Sequence, residues 1–434
     1  MDKKIFIGTV EVSGYAENLS EGLRKLGYIV ENISFLEHGY KYSDEINLPF
    51  LIKISRLIRT HSKYIDKIPV IKSFFIAASE SLNILWSISA IFKYDVFIFL
   101  YGRSLFRSNL DLPILKLLGR TVISNLSFGS ETRPPYLDGF TNYNNLGSYD
   151  YLQIAKSSRR KLRLTRFHQK HCSFVIGSPT STSQYANKPF INSFILGFPL
   201  KLNKNLDELI TSCCNQNQIT IVHAPSHKQG KGTQDILRAI DNLKNKGYSI
   251  SLNLLEGVTN QEVIKAIKKC DLVVDQIYSD TPMAGLASEA ASYGKPSVVG
   301  GNGLAYLKNF IDKDFWPPVQ ECLPNNIENA LEDLILDKKK RLELGFKAKE
   351  FISKKRSSIV IAKYFDSLIK NEVPSEWWFN PKNIEFIFGS GQSQYQTKEI
   401  IKTLVSKYGD QALSLQHNKT LKKSFLDLAN VNHG

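Results

Sequence analysis

The feature that most constrains this chain is a rhythm. Short, continuous apolar runs alternate with helix-length stretches, stop, and then start again. Residues 5–10 form the first run, and a turn at Ser13 and Gly14 follows. Residues 15–26 carry Leu19, Leu23 and Leu26 at helical spacing and stop at Gly27, a residue suited to the left-handed end of a helix. Further apolar runs over residues 28–33, 94–100, 121–124 and 173–176 read as strands. Strands that are apolar throughout are buried on both faces, and helix-length connections between them dictate a parallel sheet covered on each side.

The pattern restarts near residue 218. Strand-like runs at 219–222, 249–255, 272–274 and 296–299 alternate with helical stretches at 233–246, 260–269 and 283–293. A chain of 434 residues is too long for one ordinary core. The expected fold is therefore α/β, with two Rossmann-like parallel-sheet domains facing across a cleft. Their expected extents are 1–200 and 201–370, joined by a polar, punctuated hinge over residues 199–218. Residues 371–434 hold Trp377, Trp378 and helix-like stretches at 397–407 and 421–428, and read as a helical extension packing across one or both domains. Parallel sheets take ligands outside the carboxyl ends of their strands, so chemistry is expected in the cleft.

Composition narrows the partners. A formal net charge of +15 calls for something anionic: nucleic acid, an anionic membrane or a phosphorylated small molecule. No helix-turn-helix, zinc-finger or RNP-type pattern is present, which argues against nucleic acid. The five cysteines (Cys172, Cys213, Cys214, Cys270 and Cys322) lack CxxC spacing and read as reduced thiols. The N-terminal residues run straight into a strand with no long apolar segment, so a cytoplasmic location is expected. Residues 73–92 approach the length of a membrane span. Glu80, Asn83 and five serines interrupt them, and a buried amphipathic helix is expected instead.

Two loops of the second half carry candidate chemistry. Residues 223–233 read HAPSHKQGKGT and lead from a strand into a helix. Free amides at the helix start, its dipole and the Lys231 ammonium make a seat for a diphosphate, although such a turn also forms with no ligand. Residues 275–290 read DQIYSDTPMAGLASEA, with Gly285 near a helix start and Glu289 one turn later. Amides there suit phosphate and the carboxylate suits the two hydroxyls of a ribose. A capped helix with a solvated Glu is the plainer alternative.

Taken together with DLVVDQ at 271–276 and YGKPSVV at 293–299, these loops resemble the donor domain of GT-B glycosyltransferases of family 4. The resemblance covers about residues 219–300 and, more weakly, 1–200. It implies that Lys231 contacts a donor diphosphate and that Glu289, the second Glu of an E-x7-E motif, binds the ribose. It also implies that the backbone at Gly285 and Leu286 lies against phosphate and sugar, and that the loop beginning at Glu256 borders the base. The first Glu of the motif falls at Thr281, so Asp280 beside it, or Asp275, becomes the candidate to grip the sugar. The arginine expected before the lysine falls at Ser226, and His227 and Lys228 are carried as its substitutes.

In the first half, residues 8–14 (GTVEVSG) resemble the first-strand loop of the same family, with Gly14 allowing close approach to the donor. Residues 128–136 (FGSETRPPY) are similar to a Gly-Ser-Asp-x-Arg loop, with Glu131 in place of the Asp and Phe128 where many members carry His. Glu131 is the first candidate to polarise an acceptor hydroxyl. A purely structural pair with Arg133 is the alternative. Seven basic residues and no acid lie between Lys156 and Lys170, a run that suits either anionic lipid or a solvated helix face.

The expected function is transfer of a sugar from a nucleoside diphosphate sugar to a hydroxyl of a glycan or lipid-linked glycan, as in bacterial surface polysaccharide synthesis. The resemblance implies retention at the anomeric carbon. No cofactor beyond the donor is expected, and no metal, because the cationic groups and helix amides would carry the diphosphate charge and no dedicated DxD-like cluster argues for one. Peripheral attachment to the inner face of the membrane fits a lipid-linked acceptor. A nucleotide-sugar epimerase of the same fold stays open as an alternative. So does a non-catalytic sugar-nucleotide-binding partner of a synthase, given Thr281 and Phe128.

Overall fold

The computed structural model of the chain describes residues 3–36, 48–62, 69–141, 144–145, 148–202 and 218–430. Cys213, Cys214 and most of the expected hinge lie outside them. The first half runs β1 (Lys4–Thr9), α1 (Tyr15–Lys25), β2 (Ile29–Ser34), α2 (Phe50–His61), α3 (Pro69–Lys93), β3 (Val96–Leu100), α4 (Asp111–Leu117) and β4 (Thr121–Asn125). A small hairpin of β5 (Asn144–Asn145) and β6 (Ser148–Tyr149) precedes α5 (Tyr151–His171), β7 (Phe174–Gly177), β8 (Phe190–Asn192) and α6 (Ser193–Leu196).

The second half opens with β9 (Ile219–His223), α7 (Lys228–Lys231), α8 (Thr233–Asn245), β10 (Ile250–Leu254), α9 (Asn260–Lys269) and β11 (Leu272–Val274). It continues with α10 (Gly285–Ser292), β12 (Ser297–Gly300), α11 (Leu304–Leu307), β13 (Gln320–Cys322), α12 (Ile327–Leu336), α13 (Lys338–Phe351) and α14 (Ser358–Lys370). The tail holds β14 (Trp378–Phe379), α15 (Gln394–Tyr408) and α16 (Lys419–Leu428).

Strand order in the first sheet is β14-β8-β7-β4-β3-β1-β2, parallel except for β14 against β8. The second sheet, β10-β9-β11-β12-β13, is parallel throughout. Period-2 alternation divides the first sheet's side chains between two cores. Ile5 and Ile7 meet α1 and α14, while Phe6, Phe97 and Phe99 meet α2, α3 and α4 on the other face. The split follows from handedness: β2 lies on one side of β1 and β3 on the other, so right-handed crossovers put α1 and α3 on opposite faces.

The two sheets are tied in three places. Leu200 and Ser357 form a bridge where the chain crosses between sheets and returns, with Leu200 N donating to Arg356 O at 2.8 Å and Ser358 N to Leu200 O at 2.9 Å. Helix α14 comes back to lie on α1. The tail adds β14 to the edge of the first sheet, and its helices close an apolar cluster shared by Tyr136 and Phe190 of the first half, Val299 and Leu304 of the second, and Phe386 and Phe425 of the tail.

Residues 73–92 are helical as expected, but the expectation that this helix is buried is corrected. Val70, Phe74 and Phe92 are 80%, 71% and 67% exposed. The reason is an inverted polarity. Ser79, Asn83 and Ser87, four residues apart, point inward; Ser87 Oγ donates to Asn83 O at 2.7 Å, and Ser55 of α2 meets Ser79 at 2.9 Å. The polar residues read as interruptions of an apolar stretch are small interior groups, and the large apolar ones face out.

Gly22 of α1 lies so close to α14 that an added Cβ would stand 2.1 Å from Ser358 O. Gly22→Ala is expected to force the helices apart and cost about 1–3 kcal/mol, read as a lower denaturation midpoint at unchanged m-value. An unchanged midpoint would contradict this packing.

Candidate functional site

In the second sheet β9 lies between β10 and β11, so the connection after β9 runs to one side, toward β10, and the connection after β11 to the other, toward β12. The loops after β9 and β11 part at that point and flank a crevice at the strands' carboxyl ends. These are the two loops that the sequence singles out. The first contains α7, capped by His227, whose Nδ1 accepts from Gly230 N at 2.9 Å. The second ends at α10, which starts at Gly285 and not at 283. Pro282 and the extended Ala284 hold the preceding residues out of the helix, and Ala284 offers no side-chain cap.

Asp275 joins the loops. Its Oδ1 accepts from Lys231 Nζ at 3.0 Å, and its Oδ2 accepts from Ala287 N in the first turn of α10 at 3.3 Å. One turn on, Glu289 accepts from Asn260 Nδ2 at 2.7 Å. Burial pushes the Glu289 carboxyl up to about 7. The Asp275 charge adds to the rise and Asn260 opposes it. Lys231, Asp275 and Glu289 are thus one electrostatic group at the foot of α10.

A second group reaches across the cleft. The Arg133 guanidinium meets the Asp280 carboxylate, with Nη2 at 3.0 and 3.1 Å from its two oxygens and Nε at 3.3 Å from one. Ser390 of the tail donates to Asp280 at 3.0 Å, and Ser181 donates to it as well. Burial alone would raise the Asp280 carboxyl, but Arg133 and these hydroxyls hold it below the usual carboxylate range. Nη1 of Arg133 also reaches Asp138 at 3.3 Å. Backbone bonds from Ser390 N to Leu137 O and from Gly391 N to Tyr278 O, 2.8 and 2.7 Å, stitch the tail to both halves.

Between the halves lies a cavity of about 240 Å³, lined by Ser13, Phe128, Arg133, Asp280, Gly285, Ser288 and Arg356 among others. Two helices start beside it, and they differ. The carboxylate of Glu11 occupies the start of α1, accepting from Val12, Ala16 and Glu17 amides at 2.8, 3.2 and 3.2 Å. At the start of α10 Ala284 gives no side-chain cap and Asp275 takes only the Ala287 amide, which among the described residues leaves the Gly285 and Leu286 amides open, with Gly285 on the cavity wall. Arg356 donates to the carbonyls of Ile195 and Phe194 at 3.1 and 2.7 Å, and among the described residues it forms no carboxylate ion pair. Burial pulls its guanidinium down to about 10, which still leaves it charged near neutrality.

The remaining expected residues fall in different places. Gly14 takes a left-handed φ of 80° at the start of α1, next to Ser13 on the cavity wall. Lys228 pairs with Glu256 at 2.7 Å, and both line a separate cavity of about 740 Å³ with Tyr278 and Gly391. Ser226 is exposed, and the Leu286 side chain packs among Val222, Ile267 and Val273. Glu131 is turned inward: Oε1 accepts from Phe128 N at 2.8 Å, and Oε2 has no partner. It stands behind the Phe128 wall and does not line the cavity. Asp280 does line it, but both of its oxygens are engaged, which corrects the expectation of a carboxylate available to a sugar. Lys161 of the basic run is buried and donates to Arg133 O at 2.8 Å. Among the described residues no His, Cys, Asp or Glu cluster could hold a metal.

Sequence reasoning missed Arg356 and Ser390. Arg356 ends a run of solvated lysines and carries no distinguishing mark. Ser390 sits between Gly389 and Gly391, and that close-approach signal in the tail was available.

No protein-family profile matches the chain, and no curated protein matches it. Among solved structures, it is similar to Anabaena HepE in complex with UDP and glucose, at 12% identity and TM-score 0.49, covering 85% of this chain and 100% of that one. It is also similar to the catalytic domain of Arabidopsis thaliana starch synthase IV bound to ADP and acarbose, at 12% identity and TM-score 0.44, covering 85% and 99%. A third is a putative UDP-N-acetylglucosamine 2-epimerase from Listeria monocytogenes, at 11% identity and TM-score 0.41, covering 86% and 96%. The two Rossmann-like parallel sheets and the cleft between them give this chain the GT-B architecture.

Burial pushes the Glu131 carboxyl from its usual 4.5 to about 7, against the pull of its backbone hydrogen bonds, Arg133 and Lys161. The folded state therefore binds this proton more tightly than the unfolded chain. The stabilisation is complete below the unfolded pKa and is lost as pH rises through the folded one. Glu131→Gln keeps the acceptor for Phe128 N. At pH 8 it should be more stable than the parent by on the order of 2–3 kcal/mol, with no such gain near pH 4. Unfolding curves at both pH values check this, and a variant weaker at both would contradict it.

Proposed function

We propose that this chain is a glycosyltransferase that moves a sugar from a nucleoside diphosphate sugar to a hydroxyl of a glycan acceptor. The observation that carries the reading is the start of α10, where the Gly285 and Leu286 amides stay open, at the wall of a cavity between two parallel-sheet domains. Unsatisfied amides and the helix dipole favour a diphosphate there, and Arg356 on the same wall is a cation with no carboxylate of its own. Serine and threonine hydroxyls at Ser13, Ser127, Ser178, Thr180 and Ser288 suit a hydroxylated sugar.

In the transfer, the acceptor oxygen bonds to the anomeric carbon while the bond from that carbon to the phosphate oxygen breaks. Negative charge grows on the departing diphosphate, where α10 amides, Arg356 and Lys231 stabilise it. Among the described residues, the cavity wall offers no carboxylate with an open oxygen, so the acceptor proton passes to the leaving phosphate. Glu289 holds the ribose, and the closed cleft keeps water from competing as acceptor.

The test is incubation with a panel of sugar nucleotides, following released nucleoside diphosphate and the fate of the sugar. Transfer or slow hydrolysis is expected. Lys231→Ala and Glu289→Ala are each expected to lower the rate about 10²-fold or more, with circular dichroism at the assay temperature checking that each variant is folded. An isomerised donor would favour an epimerase, and a thermal shift without turnover a binding partner. Full activity in both variants would overturn the site assignment.

A further inference from the structure

We infer that the outer face of α2, α3 and α4 is a docking surface for an anionic lipid bilayer. Large apolar side chains are concentrated there: among the described residues, thirteen of the twenty-three exposed ones lie between Phe50 and Leu118. On α3 they recur at helical spacing, at Ile71, Phe74, Leu85, Ile88 and Phe92, while the small polar groups of Ser79, Asn83 and Ser87 point into the protein. A soluble helix sorts its residues the other way. On α4, Leu117 is 87% exposed and Ile114 and Leu118 accompany it.

These helices form one continuous face. α2, α3 and α4 share the core cluster on one side of the first sheet, and Arg120 after α4 donates to Phe92 O at the end of α3, at 3.3 Å. A crossover between parallel strands runs antiparallel to them, so α3 begins on the side where the cleft opens. Its 25 residues extend about 37 Å from there. Among the described residues, Val70–Lys93 is the one helix long and apolar enough to cross a membrane by length and composition. Trp86, Ala90 and Ile91 commit its inner side to the core, so the helix lies along a bilayer surface with its outer side in the interface.

Charge decides the occupant. Residues 50–120 hold eleven Lys and Arg against four Asp and Glu; Lys53 and Lys116 are exposed beside the apolar groups, as are Lys93 and Arg107, which pair with Glu31 and Glu80. A second copy would set this positive face against itself. Anionic headgroups are drawn to it while the apolar side chains enter the acyl boundary. The surface is different from the basic run of α5 that the sequence suggests, in which Lys161 is buried. It is also independent of the sugar-transfer reading, because vesicle binding requires neither donor nor acceptor.

The experiment is co-sedimentation of the full chain with phosphatidylcholine vesicles, with and without phosphatidylglycerol. The protein is expected to pellet with the anionic vesicles and to bind neutral ones about 10-fold less. The combined variant Phe74→Gln, Leu85→Gln, Phe92→Gln is expected to lose about 10-fold or more of that binding with its circular dichroism intact. Should it misfold, Lys53→Glu with Lys116→Glu tests the charge alone and is expected to weaken the anionic arm. The proposal is overturned if the parent stays in the supernatant with both vesicles, or if a folded variant binds as the parent does. It is equally overturned if sedimentation velocity shows a dimer that the apolar variant dissociates.

Discussion

The buried pair of Arg133 and Asp280 is the contact on which the rest of the architecture turns. Removing two charges from water costs several kcal/mol for each, and only good geometry with further hydrogen bonds offsets it. Here Arg133 meets both Asp280 oxygens, Asp138 takes another of its donors, and Ser181 and Ser390 complete the carboxylate. The pair joins a loop of the first sheet to a loop of the second, and Ser390 brings the tail to the same point. The cleft is held shut by a junction that is stable only when all of its members are present.

That junction sets the character of the cavity beside it. With Asp280 neutralised by Arg133 and with Glu131 behind the Phe128 wall, the cavity has little negative character. What it presents is a helix start with two open amides, an arginine bonded only to carbonyls, and hydroxyls. The contrast with α1 matters, because there Glu11 fills the position that an anion would take. Of the two helices beginning at the cleft, α1 has three amides taken by Glu11, whereas α10 has one taken by Asp275 and keeps those of Gly285 and Leu286 for a phosphate.

Much of the fold was legible because both strands and connecting helices leave strong periodic signals. Buried parallel strands are apolar throughout, and Gly27 marks its helix end without tertiary context. The strand order, and with it the switch point between the 223–233 and 275–290 loops, is set by tertiary pairing that the alternation alone does not carry. The site was less legible, because its meaning depends on partners distant in sequence. Asp280 is separated from Arg133 by 147 positions, and nothing local says that an arginine will consume it. Glu131 carries the right residue type at the right loop but points inward. The exposed face of α3 was misread because periodicity reports that a helix has two sides and not which side is solvated.

The most direct test is a crystal structure with a nucleoside diphosphate, the product of the proposed transfer. The diphosphate is predicted to lie within hydrogen-bonding distance of the Gly285 and Leu286 amides, with Lys231 or Arg356 as a charged neighbour and Glu289 on the ribose. Density for the diphosphate beside Lys228 and Glu256, away from the start of α10, would contradict the account.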